Sequence, residues 1–152
     1  MLEIIAFALM VTADQLTKLW AVFKLKSVGT FELMPGILNL TYAENTGAAF
    51  SILQGKTVFL IILPVIVCLA IMYCLFSKRA KHPLERWSLV LILSGAVGNI
   101  IDRIMRGAVV DFFEIRLFEF AIFNVADIFV TVGAVLLFVY ILFVADEKDK
   151  TP

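Results

Sequence analysis

This sequence predicts a mainly helical, polytopic membrane protein, and three observations carry that prediction. Hydrophobic residues make up 62% of the chain and charged ones 17%, with a mean hydropathy of +1.00. Soluble domains hold about half apolar and about a quarter charged residues, so water alone is the wrong solvent for this chain. The apolar residues fall in long runs, and 152 residues accommodate about four spans of roughly 20 residues with short connections. Two β-prone stretches lie between the runs and add a small sheet to the four helices. A separate soluble domain is not expected.

The first span is LEIIAFALMVTADQLTKLW, residues 2–20, whose apolar character ends around Asp14 and Lys18. Glu3 stands where a secretory signal carries its basic region, and no small-residue cleavage site precedes Asp14, so this segment is expected to stay as a helix. The second span, 57–77, contains no charge and is bracketed by Lys56 and Lys78. Pro64 lies inside it, which membrane helices tolerate better than soluble ones. The third, 84–103, follows His82-Pro83 and runs through WSLVLILSGAVGNII to Asp102 and Arg103. The fourth, 125–145, starts beside Asn124 and is closed by the charged tail DEKDKTP. Cys68 and Cys74 both lie within the second span, six apart and on different helix faces, so packing is their expected role rather than a disulfide or a metal site.

The connections set topology. SKRAKHPLER, between spans two and three, is dense in Lys and Arg, and short basic loops stay in the cytoplasm. Both termini then lie inside, and Asp14, Asp102, Asp111 and Asp127 share the outer leaflet. Lys24, Lys26, Arg103 and Arg106 run against this assignment and are expected to be paired or to face headgroups. In the first outer stretch, 30–50, TFELM and ILNLTYAEN flank Pro35-Gly36 and suggest a hairpin. AVFKLK before it suits a short interfacial helix. The second outer stretch, 108–122, contains VVDFFEIRLFEF and is expected to add a strand to the same sheet. Such a sheet above the bundle mouth suits an extended peptide.

The chemistry concentrates on Asp111 and Asp127. Carboxylates at a membrane boundary are costly to keep. Asp111 is flanked by Val109, Val110, Phe112 and Phe113, so apolar surroundings are expected to raise its proton affinity, and a second carboxyl separates the two titrations further. Two carboxyls sharing one proton can activate a water and protonate a leaving amine, without metal, cofactor or further nucleophile. Asp127 has a second reading. Asn124 three residues earlier makes an Asn-x-x-Asp arrangement that resembles a capping box, and both readings stand at this point.

Other chemistries fit less well. His82 is the only histidine and lies on the inner loop, away from any outer His-based triad or zinc site. A serine-lysine hydrolase needs Ser51 or Ser94 beside Lys18 or Lys56, and Ser94 sits mid-span, where packing between helices is expected. Asn99, Asp102, Arg103 and Arg106 share one helix face, either as a polar cap on span three or as a support shell for the carboxyl pair. Net charge is zero and no basic stripe suggests nucleic acid. A non-catalytic membrane binding or assembly subunit with structural carboxylates is the alternative from another class.

Four motif blocks bear on that choice: DQLTK at 14–18, ENTGAAFS at 44–51, GAVGNIIDR with GAVVDF from 95 to 112, and FNVADI at 123–128. In this order, with four spans and this length, the chain resembles the lipoprotein signal peptidase family, the type II signal peptidases of bacteria. The resemblance implies an aspartyl endopeptidase of the bacterial cytoplasmic membrane, with its active site toward the extracytoplasmic face. It would cut diacylglyceryl-modified prolipoproteins immediately before the lipidated cysteine. By motif position the family's catalytic pair maps to Asp111 and Asp127, not to Asp102. Supporting or substrate-contacting residues map to Asp14, Lys18, Asn45, Gly47, Asn99, Arg103 and Asn124. The resemblance further implies a β-cradle and an interfacial helix, membrane lipids as surroundings, and inhibition by cyclic peptides such as globomycin. A monomer without cofactor is expected.

Overall fold

A computed structural model describes residues 1–48 and 52–145; Ser51 and the charged tail lie outside the described residues. Helix α1 runs Leu2–Trp20 and continues through a π-helical turn, Ala21–Leu25, into the single turn α2, Lys26–Val28. Strands β1 (Thr30–Met34) and β2 (Leu38–Asn45) follow, then α3 (Thr57–Phe76), α4 (Pro83–Arg106), β3 (Val109–Ile115) and α5 (Val125–Phe143). Four helical segments are long and apolar enough to cross a membrane: Leu2–Val28, Thr57–Phe76, Pro83–Arg106 and Val125–Phe143. Their outward faces carry large apolar side chains such as Leu9, Phe59, Ile62, Leu69, Phe138 and Leu142, as lipid contact requires.

Helix α1 has the bounds expected for the first span, 2–20, but Asp14 and Lys18 do not mark a polar end of it. Both residues are interior to α1 and fully buried, and the helix passes straight through them. A charge ends a span only when it must reach water. These two form an i, i+4 ion pair at 3.0 Å and meet further partners on α4, so no such need arises. The stretch containing AVFKLK is a helical continuation of α1, widened by the π turn. Span three likewise runs three residues past Arg103 to Arg106, where Gly107, at φ +75°, supplies the left-handed C-cap.

Helix α4 is the centre of the bundle and packs on α1, α3 and α5. Small residues permit the approach. A Cβ on Gly95 would collide with the Ala126 carbonyl oxygen of α5, and one on Gly98 with the Asp14 carboxylate. Gly133 of α5 sits equally close to the Ser88 carbonyl oxygen and the Ile92 backbone nitrogen. Ser94 is fully buried and its hydroxyl donates to the Val90 carbonyl, a packing role. Cys68 packs with Ile71, Leu93 and Ile100 in one apolar cluster. At the opposite end His82 caps α4, accepting from the Leu84 N–H, and stacks on Tyr140.

The sheet is antiparallel with order β1-β2-β3. Pro35-Gly36 turns the predicted hairpin, with Gly36 at φ +71°. Only Val109–Ile115 of the second outer stretch is strand. Alternation along β3 divides its residues: Val110 and Phe112 pack with Ala21 and Leu25, whereas Val109 and Asp111 line a cavity against α5. Of the outer basic residues, Lys26 pairs with Glu44 at 2.9 Å and Arg106 with Asp102 at 3.7 Å.

Candidate active site

Asp127 is the third residue of α5, and its local sequence places it. The Asn124 side chain accepts from the Asp127 N–H at 3.0 Å, while the Asp127 carboxylate accepts from the Asn124 N–H at 3.1 Å. This reciprocal capping box satisfies two of the orphan donors at the helix start and fixes one carboxylate oxygen. The other oxygen accepts from Asn99 Nδ2 of α4 at 2.8 Å. Two N–H donors and the positive end of α5 surround this carboxylate.

Asp111 comes from a different element. Strand β3 delivers it opposite Ala43 of β2, with 3% of its surface exposed. Asn124 Nδ2 donates to its Oδ1 at 2.6 Å and Asn45 Nδ2 to its Oδ2 at 3.2 Å. Asn124 therefore touches both carboxylates, one through its side chain and one through its backbone. Burial pushes the Asp111 carboxyl up to about 7, the Asp127 charge adds to this, and the amides of Asn124 and Asn45 oppose it. The environments of the two acids thus differ: one lies among apolar β-strand residues, the other at a helix N-terminus.

A cavity of about 490 Å³ opens on this pair, lined by Asp111 and Asp127 together with Asn99, Arg103, Phe123 and Val130. Arg103 donates through Nη2 to the Gly47 carbonyl at 2.8 Å, while its buried Nε has no partner among the described residues. Gly47 is held in turn by Asn45, whose Oδ1 accepts its N–H at 2.9 Å. A larger, more open groove of about 830 Å³ lies along the sheet and includes Asp111, Glu44, Glu114 and Phe118. Asp111 lines both spaces.

Beneath the carboxyl pair lies an ion cluster. Lys18 Nζ contacts Asp14 at 3.0 Å, Asp102 at 3.2 Å and Asn99 Oδ1 at 2.8 Å, and the three ionic side chains are fully buried. All the residues proposed from sequence thus converge: Asn45, Asn99 and Asn124 contact the two acids, Arg103 and Gly47 border them, and Asp14 and Lys18 lie one layer below. One residue of the site was missed. For Asp102, read from sequence as part of either a polar cap or a support shell, the structure shows a contact to Lys18 at 3.2 Å. Gln15 was not singled out, yet its amide donates to Asp14 Oδ2 and to the Gly98 carbonyl, both at 3.1 Å. The legible signal was the i, i+4 Asp14–Lys18 pair, which made a buried polar face of α1 worth seeking. Among the described residues no cluster of His, Cys, Asp or Glu is arranged to hold a metal ion.

Comparison with known proteins gives the family. The family description "Signal peptidase (SPase) II" matches residues 6–143. A lipoprotein signal peptidase of Clostridioides difficile is 41% identical over 143 residues, covering 94% of this chain and 96% of the relative. One from Clostridium acetobutylicum is 40% identical, covering 97% and 98%. A solved structure described as a bacterial membrane enzyme, obtained by the in meso method, superposes with a TM-score of 0.85 at 34% identity, covering 98% of this chain and 91% of its own. The match spans all four long helices and both carboxylate-bearing elements, and the chain belongs to the signal peptidase II family of bacterial membrane aspartic proteases.

Proposed function

We propose that Asp111 and Asp127 are the water-activating pair of this protease, with Asp127 as the base and Asp111 as the acid. The observation that carries the assignment is their contrast in surroundings, joined by Asn124. Asp127 accepts from Asn99 and from the Asn124 N–H at the start of α5, so both its oxygens are fixed by donors and aimed as a base must be. Asp111 is buried on β3 and its carboxyl is pushed up to about 7, which suits one that keeps its proton near neutrality.

Family membership supports cleavage of prolipoprotein signal peptides. The finer reading is that the substrate carries diacylglyceryl on the cysteine that follows the scissile bond. Asp127 takes a proton from water as its oxygen attacks the scissile carbonyl, and Asp111 hydrogen-bonds the carbonyl oxygen and gives up its proton. As the tetrahedral intermediate collapses, Asp127 returns its proton to the departing cysteine amine and Asp111 recovers its own. Arg103 Nε, buried at the cavity wall, is a donor for a substrate carbonyl. The acyl chains remain in lipid beside the helices, and this anchoring confines the search for the scissile bond to two dimensions.

Topology completes the proposal. Both termini and the basic link before α4, with Lys78, Arg79 and Lys81, are cytoplasmic, and the sheet and carboxyl pair face the extracytoplasmic side of the membrane. The purified full chain should release the signal peptide from a diacylglyceryl-modified prolipoprotein and leave its unlipidated form largely uncut. Equal cleavage of both would remove the lipid from substrate recognition, and cleavage of neither would favour the non-catalytic subunit.

A further inference from the structure

Lys18 is a costly residue for this fold. Its ammonium is fully buried in a helix of spanning length, and an apolar side chain of similar volume generally serves stability as well as a buried ion pair or better. Its three N–H donors are all used: Asp14 Oδ2 at 3.0 Å, Asp102 Oδ2 at 3.2 Å and Asn99 Oδ1 at 2.8 Å.

Each of those acceptors leads to one of the two acids. Asp14 Oδ1 accepts the N–H of Ala126 at 2.9 Å, the residue before Asp127. Asp102 Oδ2 accepts the N–H of Val110 at 3.2 Å, the residue before Asp111. Asn99 Nδ2 donates to the Asp127 side chain at 2.8 Å. With its oxygen drawn to the ammonium, and also accepting from Asn124 at 3.3 Å, the Asn99 amide has one favourable orientation. Reversed, it would set its carbonyl against the Asp127 carboxylate and its NH₂ against a cation.

We propose that Lys18 is a positioning residue: its ammonium clamps Asp14, Asp102 and Asn99 so that their outer atoms hold Asp127 and Asp111 in register for reaction. The inference rests on the carboxyl pair proposed above. Of the charged groups, Asp14 on α1 and Asp102 on α4 contact Lys18, and Asp111 on β3 feels its charge. Two anions on one cation leave a surplus negative charge, which Arg106 meets at 3.7 Å from Asp102.

The test is a cycle that removes the cation together with the two anions it holds, so that neither buried carboxylate is left without it. In Lys18→Met combined with Asp14→Asn and Asp102→Asn, both asparagines still accept from Ala126 and Val110 while the clamp's centre is gone. Turnover of a diacylglyceryl-modified prolipoprotein should fall about 100-fold with KM nearly unchanged, the scale of a misplaced reacting group. Asn99→Leu should lower kcat similarly, and adding it to the triple variant should cost far less than the product of the two losses. A purely structural Lys18 would lower the melting temperature and the active fraction yet leave kcat per folded enzyme in place, overturning the proposal. Fully multiplicative losses would overturn it too. Asn99→Leu retains the whole ion cluster, so it stands as an independent arm should the triple variant fail to insert: kcat within about threefold of the unsubstituted protein contradicts the clamp. Activity surviving Asp111→Asn would instead refute the carboxyl pair itself.

Discussion

Asn124 donates from Nδ2 to Asp111 Oδ1 at 2.6 Å while its own side-chain oxygen caps α5. One side chain therefore starts a membrane helix and orients an acid on a β-strand. Serine can replace the first role but cannot replace the second. Asn124→Ser should keep the melting temperature close to that of the unsubstituted protein, and Asn124→Ala should cost roughly 1 kcal/mol, the usual value of an N-cap. Both should lower kcat by a similar factor of about 10 or more, since both lose the Asp111 bond. Full activity in the serine variant would show that capping is all Asn124 does.

The pH dependence follows from Asp111. Its carboxyl is raised from an ordinary 3.8 to about 7, so the folded chain holds a proton that the unfolded chain has released between those values. Stability contributed by this group falls as pH rises through that window and stays low above it. Asp111→Asn keeps an acceptor for Asn124 without the charge. It should therefore raise the melting temperature by a few degrees at pH 8 and change it little at pH 4, as followed by thermal denaturation in detergent. Cleavage by the unsubstituted protein should decline as pH rises through about 7, where Asp111 loses the proton it donates.

How far the fold was legible depended on where each residue's partners lie in the chain. The charge-free run forming α3 and the Pro35-Gly36 hairpin are local signals, and both elements formed close to where the residues pointed. The Asn124–Asp127 box was equally local. That Asp14 and Lys18 are buried and not at a polar end was not legible, because Lys18 is satisfied by Asn99, 81 positions away. The two readings of Asp102, polar cap or support shell, stayed open for the same reason: its partners Lys18 and the Val110 N–H belong to other elements. Periodicity and charge locate helices, but they do not show which buried charges find one another. The preference for Asp111 over Asp102 came from motif resemblance and not from spacing.

Helix packing gives a prediction independent of the chemistry. A methyl group at Gly95 meets the carbonyl oxygen of Ala126, which backbone rigidity prevents from yielding. Gly95→Ala should destabilise the α4–α5 contact by about 1–3 kcal/mol. Because Ala126 adjoins Asp127, activity should fall as well. Gly107→Ala, in open space but at φ +75°, should strain only the α4 C-cap, with a loss of about 1 kcal/mol and activity retained. Melting curves and cleavage rates of the two variants separate these effects.

At the other end of the bundle Arg86 joins three segments. Its guanidinium forms a bidentate pair with Glu3, at 2.6 Å through both Nε and Nη2, and donates through Nη1 to the Leu75 and Ala80 carbonyls. Glu3→Gln should cost less than about 1 kcal/mol, as for a partly exposed pair. Arg86→Ala also strips the carbonyls of their donor and should cost about 2 kcal/mol more. Neither should change kcat, since this staple lies at the opposite end of the bundle from the carboxyl pair. A reversed order of melting temperatures would show that the ion pair, not the carbonyl bonds, joins these segments.

The central claim is that Asp111 and Asp127 perform the hydrolysis together. The most direct measurement is release of the signal peptide from a diacylglyceryl-modified prolipoprotein by purified Asp111→Asn and Asp127→Asn, each first shown to insert and melt cooperatively. Each folded variant should lose cleavage by a factor of about 1,000 or more, as expected when an acid or base of a coupled pair is removed. Near-normal processing by either one would exclude that residue from the reaction and contradict the account.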